Sequence, residues 1–244
     1  MGRGVLRIPV AILAGAILNS PVLAAESLSL GAEAVAASCY LWRGLILYDR
    51  PVLQPSLWLS RGGLGVSVWT SFSAGGRPLR PQADELDLTL DYEAEWRRLV
   101  ISPSVCCFVY PVAAGKPELE LGLELRYPAG TFTFVSRHQV ELLTAPGAYF
   151  GSLGLQIEQE PVEGLVFSLG LEAGAGSAVF NHANLGLVRA ALNCLQAEMA
   201  LSRSFGWLYV KPQTTLCWLP DKYISLAAGS RFSWSAGVAI GREL

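Results

Sequence analysis

The chain has 244 residues, 52% of them hydrophobic and only 16% charged, with 25 glycines and a formal net charge of −2. It has no basic patch to offer nucleic acid. Its five cysteines (Cys39, Cys106, Cys107, Cys194 and Cys217) are odd in number and lack any Cys-x-x-Cys spacing, which points away from a disulfide framework and from a metal centre, and no cofactor is implied.

The first 24 residues have the layout of a secretory signal. Arg3 and Arg7 form a basic flank, Ile8 to Leu18 an apolar run, and Val22-Leu23-Ala24 a small-residue site for cleavage before Ala25. The run is shorter than the roughly 18 to 20 apolar residues of a spanning helix. The sequence therefore predicts an exported mature chain, residues 25–244, forming one domain. Cys39 lies too far beyond the run to be a lipoprotein cysteine. A positive mean hydropathy of +0.38 with no later spanning helix is explained by a β-barrel, whose outer surface faces lipid.

Period-two segments bounded by turn residues predict twelve strands: Leu28 to Trp42, Val52 to Ser60, Leu64 to Ser73, Asp84 to Trp96, Leu99 to Tyr110, Glu118 to Tyr127, Thr131 to Leu143, Tyr149 to Gln159, Leu165 to Gly174, Leu192 to Arg203, Trp207 to Leu219 and Arg231 to Leu244. The alternation is strictest in Glu85 to Trp96, where Leu86, Leu88, Leu90, Tyr92, Ala94 and Trp96 oppose Asp87, Thr89, Asp91, Glu93 and Glu95. Only a strand places such residues on two opposite faces. Glu118 to Tyr127 repeats the pattern, with Glu118, Glu120 and Glu124 opposite leucines. Adjacent Cys106 and Cys107 fall on opposite faces and read as small hydrophobes.

Alternate links are short: Arg61-Gly62-Gly63, Arg97-Arg98, Pro128-Ala129-Gly130, Glu160 to Gly164 and Ser204-Phe205-Gly206. The others, Arg43 to Pro51, Ala74 to Ala83, Pro111 to Pro117, Thr144 to Ala148, Ala175 to Ala191 and Pro220 to Ser230, are mostly longer. Short turns at one end and longer loops at the other are the layout of an antiparallel up-and-down outer-membrane barrel, with the short turns facing the periplasm. The last strand has the alternating form of a signal for the barrel assembly machinery, although it ends in Leu244 and carries Arg242 on its apolar face.

Ser38 to Phe72 contains a Tyr-x-x-Arg-Gly strand end at Tyr40, Arg43 and Gly44, a loop with Asp49 and Pro51, then Gln54 and a Gly-rich hairpin ending in Trp69. Glu85-Leu86-Asp87-Leu88 ending in Tyr92, Tyr110-Pro111 and Glu118-Leu119 follow. Over Ser38 to Tyr127 the chain resembles the TorF-type porin family of proteobacterial outer-membrane barrels. Trp42 and Leu45-Ile46-Leu47 mark a divergent branch. The resemblance implies fold and location more than a transported solute.

A charge forced onto a lipid-facing surface costs up to about 2 to 4 kcal/mol at the midplane. Asp87, Asp91, Glu93, Glu95, Glu118, Glu120, Glu124, Glu141, Glu158 and Glu172 are therefore expected to line the lumen. They would either form a cation-favouring pore or pair with Arg126, Arg137 and Lys211 in a filled interior. Arg43 is expected to pair with Asp49 and fix the first loop, or to stand at a constriction. Trp42, Trp58, Trp69, Trp96, Trp207, Trp218 and Trp234, with Tyr40, Tyr92, Tyr110, Tyr127 and Tyr149, read as aromatic girdles.

His138 shares a face with Ser136 but Glu141 falls on the other, which breaks a simple triad, and His182 has no nucleophile motif beside it. The sequence thus points to a non-enzymatic, monomeric barrel in the outer membrane, in contact with lipid and lipopolysaccharide. It would be a narrow channel for small polar or cationic solutes. The alternative is a non-conducting structural or surface-binding barrel; a soluble β-sandwich and a lipid hydrolase are more distant.

Overall fold

The computed structural model describes residues 28–73, 82–112 and 115–243, and the expected signal lies outside them. In chain order the strands are β1 (Ser29–Ala37), β2 (Tyr40–Trp42), β3 (Leu45–Tyr48), β4 (Val52–Arg61), β5 (Leu64–Ser73), β6 (Gln82–Tyr92), β7 (Ala94–Trp96), β8 (Leu99–Val109), β9 (Glu118–Ala129), β10 (Phe132–Glu141), β11 (Tyr149–Val162), β12 (Leu165–Gly176), β13 (Ala191–Phe205), β14 (Leu208–Trp218) and β15 (Phe232–Glu243). Helix α1 (Ala178–Leu185) lies between β12 and β13, and α2 (Lys222–Ala227) between β14 and β15.

Each wall strand pairs antiparallel with its chain neighbours, and β1 pairs with both β4 and β15, so the sheet closes into a barrel of twelve strands. β6 and β7 make one wall strand, interrupted where the Glu93 N–H donates to the Gly63 carbonyl (2.8 Å). Closure pairs Gly31 with Glu243 and Ala37 with Gly237, leaving no open edge. Among the described residues no helix is long and apolar enough to cross a membrane.

The two ends differ as the link lengths foretell. At the short-turn end the chain reverses through left-handed residues, including Gly62 and Gly63 (φ 59° and 86°) and the non-glycine Arg97 (φ 62°), which supply the backbone twist of tight hairpins. At the long-loop end both helices are capped by side chains. Ser177 Oγ accepts from the Phe180 N–H (3.2 Å), and the Asp221 carboxylate accepts from Tyr223 (2.8 Å) and Ile224 (3.1 Å).

The first expected strand is the main departure. It breaks after Ala37, and Ser38 and Cys39 turn the chain inward, with the Cys39 carbonyl accepting from Ser235 Oγ (3.1 Å). Tyr40 to Tyr48 then forms a separate two-stranded hairpin, β2 with β3, rather than a strand end and an open loop.

Residue parity is as the alternation requires. Leu86, Leu88, Leu90 and Tyr92 are exposed on the outer surface, whereas Asp87, Thr89 and Asp91 face Phe108, Cys106 and Ser104 across the inner ladder. Leu88, 52% exposed, is an outer-wall contact. Leu88→Arg is expected to impede assembly, costing about 2 to 4 kcal/mol near the midplane, whereas Thr89→Arg places its charge between inward carboxylates and is tolerated. Heat-modifiable migration and yield of the two variants check this; equal behaviour contradicts the facing.

Candidate functional site

The barrel interior gathers more than half of the acidic groups among the described residues, with four cations. Asp87, Asp91 and Glu93 from the β6–β7 strand, Glu118, Glu120, Glu124 and Arg126 from β9, Arg137 from β10, Glu172 from β12 and Lys211 from β14 all share the inward parity. Glu95 and Glu158 have the same parity but are exposed, at the short-turn rim. Three further acids belong to this face. Glu85 is two residues before Asp87, Glu198 pairs across from Gly170, and Glu33 sits in a run of small apolar residues with no visible alternation. The first two were legible as same-parity neighbours of inward positions; Glu33 was not.

These groups are wired together rather than left facing a wide lumen. Arg126 reaches Glu93 and Glu124, the latter at 3.1 Å, and Arg137 joins Glu124 (2.6 Å) to Glu172. The chain of ion pairs crosses several strands. Lys211 Nζ lies 2.7 Å from Glu33, both side chains being 2% exposed, and the Tyr209 hydroxyl donates to the same carboxylate at 2.7 Å. Such pairs tolerate burial only because each charge is hydrogen-bonded as well as paired.

The β2–β3 hairpin closes the long-loop end of the interior. Its tip is Arg43 (φ 49°) and Gly44 (φ 85°), and a Cβ on Gly44 would stand 2.7 Å from Cys194 Cβ, so only glycine fits there. Leu41 packs with Cys39, Phe150, Phe180, Cys194, Cys217, Leu219 and Ile224 in an apolar cluster that draws in both helices' loops. Tyr40 stacks at an angle on Trp69, with centroids 5.5 Å apart. Burial, reinforced by the Glu85 and Asp87 carboxylates, pushes the Tyr40 phenol well above its ordinary pKa and keeps it neutral.

Arg43 is the polar centre of this plug. Its Nη2 donates to both oxygens of Glu120 at 2.7 and 2.8 Å, while its guanidinium lies 4.3 Å from the Trp42 ring centroid and 5.1 Å from that of Phe150. The expected Arg43–Asp49 pair is thus corrected: Asp49 is exposed and Arg43 reaches across the interior to the β9 wall. Below Arg43 is a chamber of about 50 Å³ bounded by Arg137, Gln139, Glu172, Gln196 and Glu198, room for one or two waters.

Two other expectations change. Glu141 has inward parity, but its carboxylate folds back on the backbone N–H groups of Leu143 (2.7 Å), Thr144 (2.8 Å) and Ala145, so it anchors a loop instead of lining the lumen. Trp42, Trp58, Trp69 and Tyr40 are interior residues, not girdle. Trp58 is 7% exposed because Gly31, on the neighbouring strand, leaves space for its indole. Trp96, Trp207, Trp218, Trp234, Tyr92, Tyr127 and Tyr149 are exposed near strand ends, as girdles require, and Tyr110 donates to Glu118 (3.3 Å). Among the described residues no group of His, Cys, Asp and Glu could hold a metal ion.

No protein-family profile and no curated protein matches the sequence. Solved structures do match the fold. The NanC porin aligns with a TM-score of 0.53 at 8% identity, covering 89% of this chain and 100% of its own. The KdgM porin aligns with a TM-score of 0.53 at 9% identity, covering 88% of this chain and 98% of its own. The chain thus has the fold of outer-membrane porins.

If Arg43 and Glu120 hold the hairpin in place, Glu120→Leu alone, which strands a buried guanidinium, costs about 3 to 5 kcal/mol, and Arg43→Met combined with Glu120→Leu recovers most of it. Hydrogen exchange over Tyr40 to Tyr48 reads the effect. Equal protection in the single and double variants would contradict it.

Proposed function

We propose that the chain is a porin-like barrel of the outer membrane, related to the TorF-type porins, that passes small polar or cationic solutes through a narrow lumen gated by the Tyr40 to Tyr48 hairpin. The observation that carries this reading is the inner wall. Its carboxylates outnumber the inward cations Arg43, Arg126, Arg137 and Lys211, so a low-dielectric wall focuses a negative field along the axis. Asp87 and Glu118 face Phe108 from its two sides, and Glu85 is the next inward position on β6, so three acidic side chains stand together on this part of the inner wall.

The filled interior favours a second reading, a non-conducting barrel with a structural or surface-binding role. The porin fold and the outer surface rich in exposed leucine and aromatic side chains support a membrane location in contact with lipid and lipopolysaccharide. No observation requires a second copy, and a monomer is proposed.

The two readings separate in planar bilayers. A small conductance is expected, with a reversal potential in a salt gradient that reports cation preference. Glu118→Gln with Asp91→Asn weakens that preference, and Glu120→Leu alone, which loosens the hairpin, raises conductance severalfold, on the order of the gain from releasing one constriction. Anion preference overturns the charge argument. Absence of conductance in wild type and in the hairpin variant gives the non-conducting reading.

A further inference from the structure

The outer face of β10 and β11 carries a polar relay that the channel reading does not use. Ser136 and His138 alternate with Val135, Arg137 and Gln139, which face inward, so both project from the outer wall. Ser136 Oγ lies 2.9 Å from His138 Nε2, and His138 Nδ1 lies 2.6 Å from the Tyr149 hydroxyl. The two rings are stacked with centroids 6.1 Å apart. The third member that the sequence lacked in Glu141 is thus a tyrosine on the adjacent strand.

Tyr149 is held in this position by a local feature. Gly151 is the cross-strand partner of His138, and a Cβ there would lie 2.3 Å from the Tyr149 hydroxyl oxygen. The missing side chain lets Tyr149 lie back along β11 over Gly151. A tyrosine at a strand end ordinarily turns its hydroxyl toward water; this one turns it toward His138. Beside Ser136, the outer-surface residues Phe134 and Leu153 begin an open apolar groove of about 640 Å³ that passes Leu171 and Leu195 and reaches Trp218 and Phe232 at the long-loop end.

We propose that Ser136, His138 and Tyr149 form a catalytic site on the lipid-facing wall that hydrolyses a carboxylic ester of a membrane lipid, with the acyl chain lying in the Phe134–Trp218 groove. The Tyr149 hydroxyl accepts from Nδ1–H, which leaves the Nε2 lone pair toward the Ser136 hydroxyl. Ser136 Oγ attacks the ester carbonyl carbon and its proton passes to Nε2. The tetrahedral adduct then expels the alcohol, which takes that proton, and leaves an acyl-serine. A water molecule gives a proton to Nε2 as its oxygen attacks the acyl carbon. Collapse releases the fatty acid and returns the proton to Ser136. Ser136 and His138 are the catalytic residues, and Tyr149 is a positioning residue.

The test uses the full barrel in vesicles of phosphatidylethanolamine and in vesicles containing lipopolysaccharide, with fatty acid release as the readout and heat-modifiable migration as the control for folding. Release is expected in one arm, which names the lipid, and is abolished by Ser136→Ala. It is slowed about 10²- to 10⁴-fold by His138→Gln. An acyl fluorophosphonate should label Ser136 in the folded wild type. Tyr149→Phe keeps the ring and removes the hydroxyl; it should slow release and convert the nitrogen-15 signature of a single His138 tautomer into a mixture, which a merely structural tyrosine would not do. Release that is absent from both arms, or equal in wild type and Ser136→Ala, overturns the proposal, as does label on a residue other than Ser136. None of these outcomes bears on conductance.

Discussion

The pairing of β1 with β15 is the constraint on which the rest depends. It satisfies the last free backbone ladder, and with no open edge the two-residue period of every strand becomes a strict division between inside and outside. A residue's neighbours then follow from its parity alone. Leucines and aromatics on one parity form the outer surface, and the same strands deliver Glu, Asp, Arg and Lys to a common interior.

That interior would be unstable if its charges were left singly in a confined space, and the sequence answers with arginine more than lysine. A guanidinium can serve two carboxylates in one plane, as Arg126 does for Glu93 and Glu124 and Arg137 for Glu124 and Glu172. Glu124 is shared by both, so fixing one side chain supports two contacts. Lys211 is the exception, a point charge held by Glu33 in a space shared with the Tyr209 hydroxyl. Such pairs add little net stability relative to apolar packing; what they do is tie neighbouring strands together across the interior while occupying much of the cross-section.

Strand existence and the common parity of the acidic ladder were legible because both depend on local alternation, and the barrel was legible from mean hydropathy and the alternation of short and long links. The hairpin was not. Tyr40 to Trp42 follows β1 with no glycine or proline between them, and only tertiary contacts, the Ser235 bond to Cys39 and the Arg43 bond to Glu120, reveal that the chain has left the wall. Asp49 was the nearer acid in sequence, but Glu120, 77 residues away, is nearer in space. The misplaced tryptophans have the same origin. Their spacing near strand ends suits a girdle, and only the small neighbour Gly31 shows that Trp58 is accommodated inside. Glu141 followed its parity, yet the loop after it supplied backbone donors that no face assignment foresees.

Strand β10 shows how tightly the two surfaces are bound to one register. Arg137 joins the interior network while Ser136 and His138, on either side of it, meet Tyr149's strand from outside. Shifting β10 by one residue would send Arg137 to the outer wall and the serine and histidine inward, so any drift would destroy both arrangements together. The pairings of β10 with β9 and with β11 run without a bulge, whereas β11 with β12 and β12 with β13 each shift register. Irregularity is accommodated farther round the wall, and the Arg137–Glu124 pair, across β10 and β9, fixes from inside the alignment that the outer relay needs.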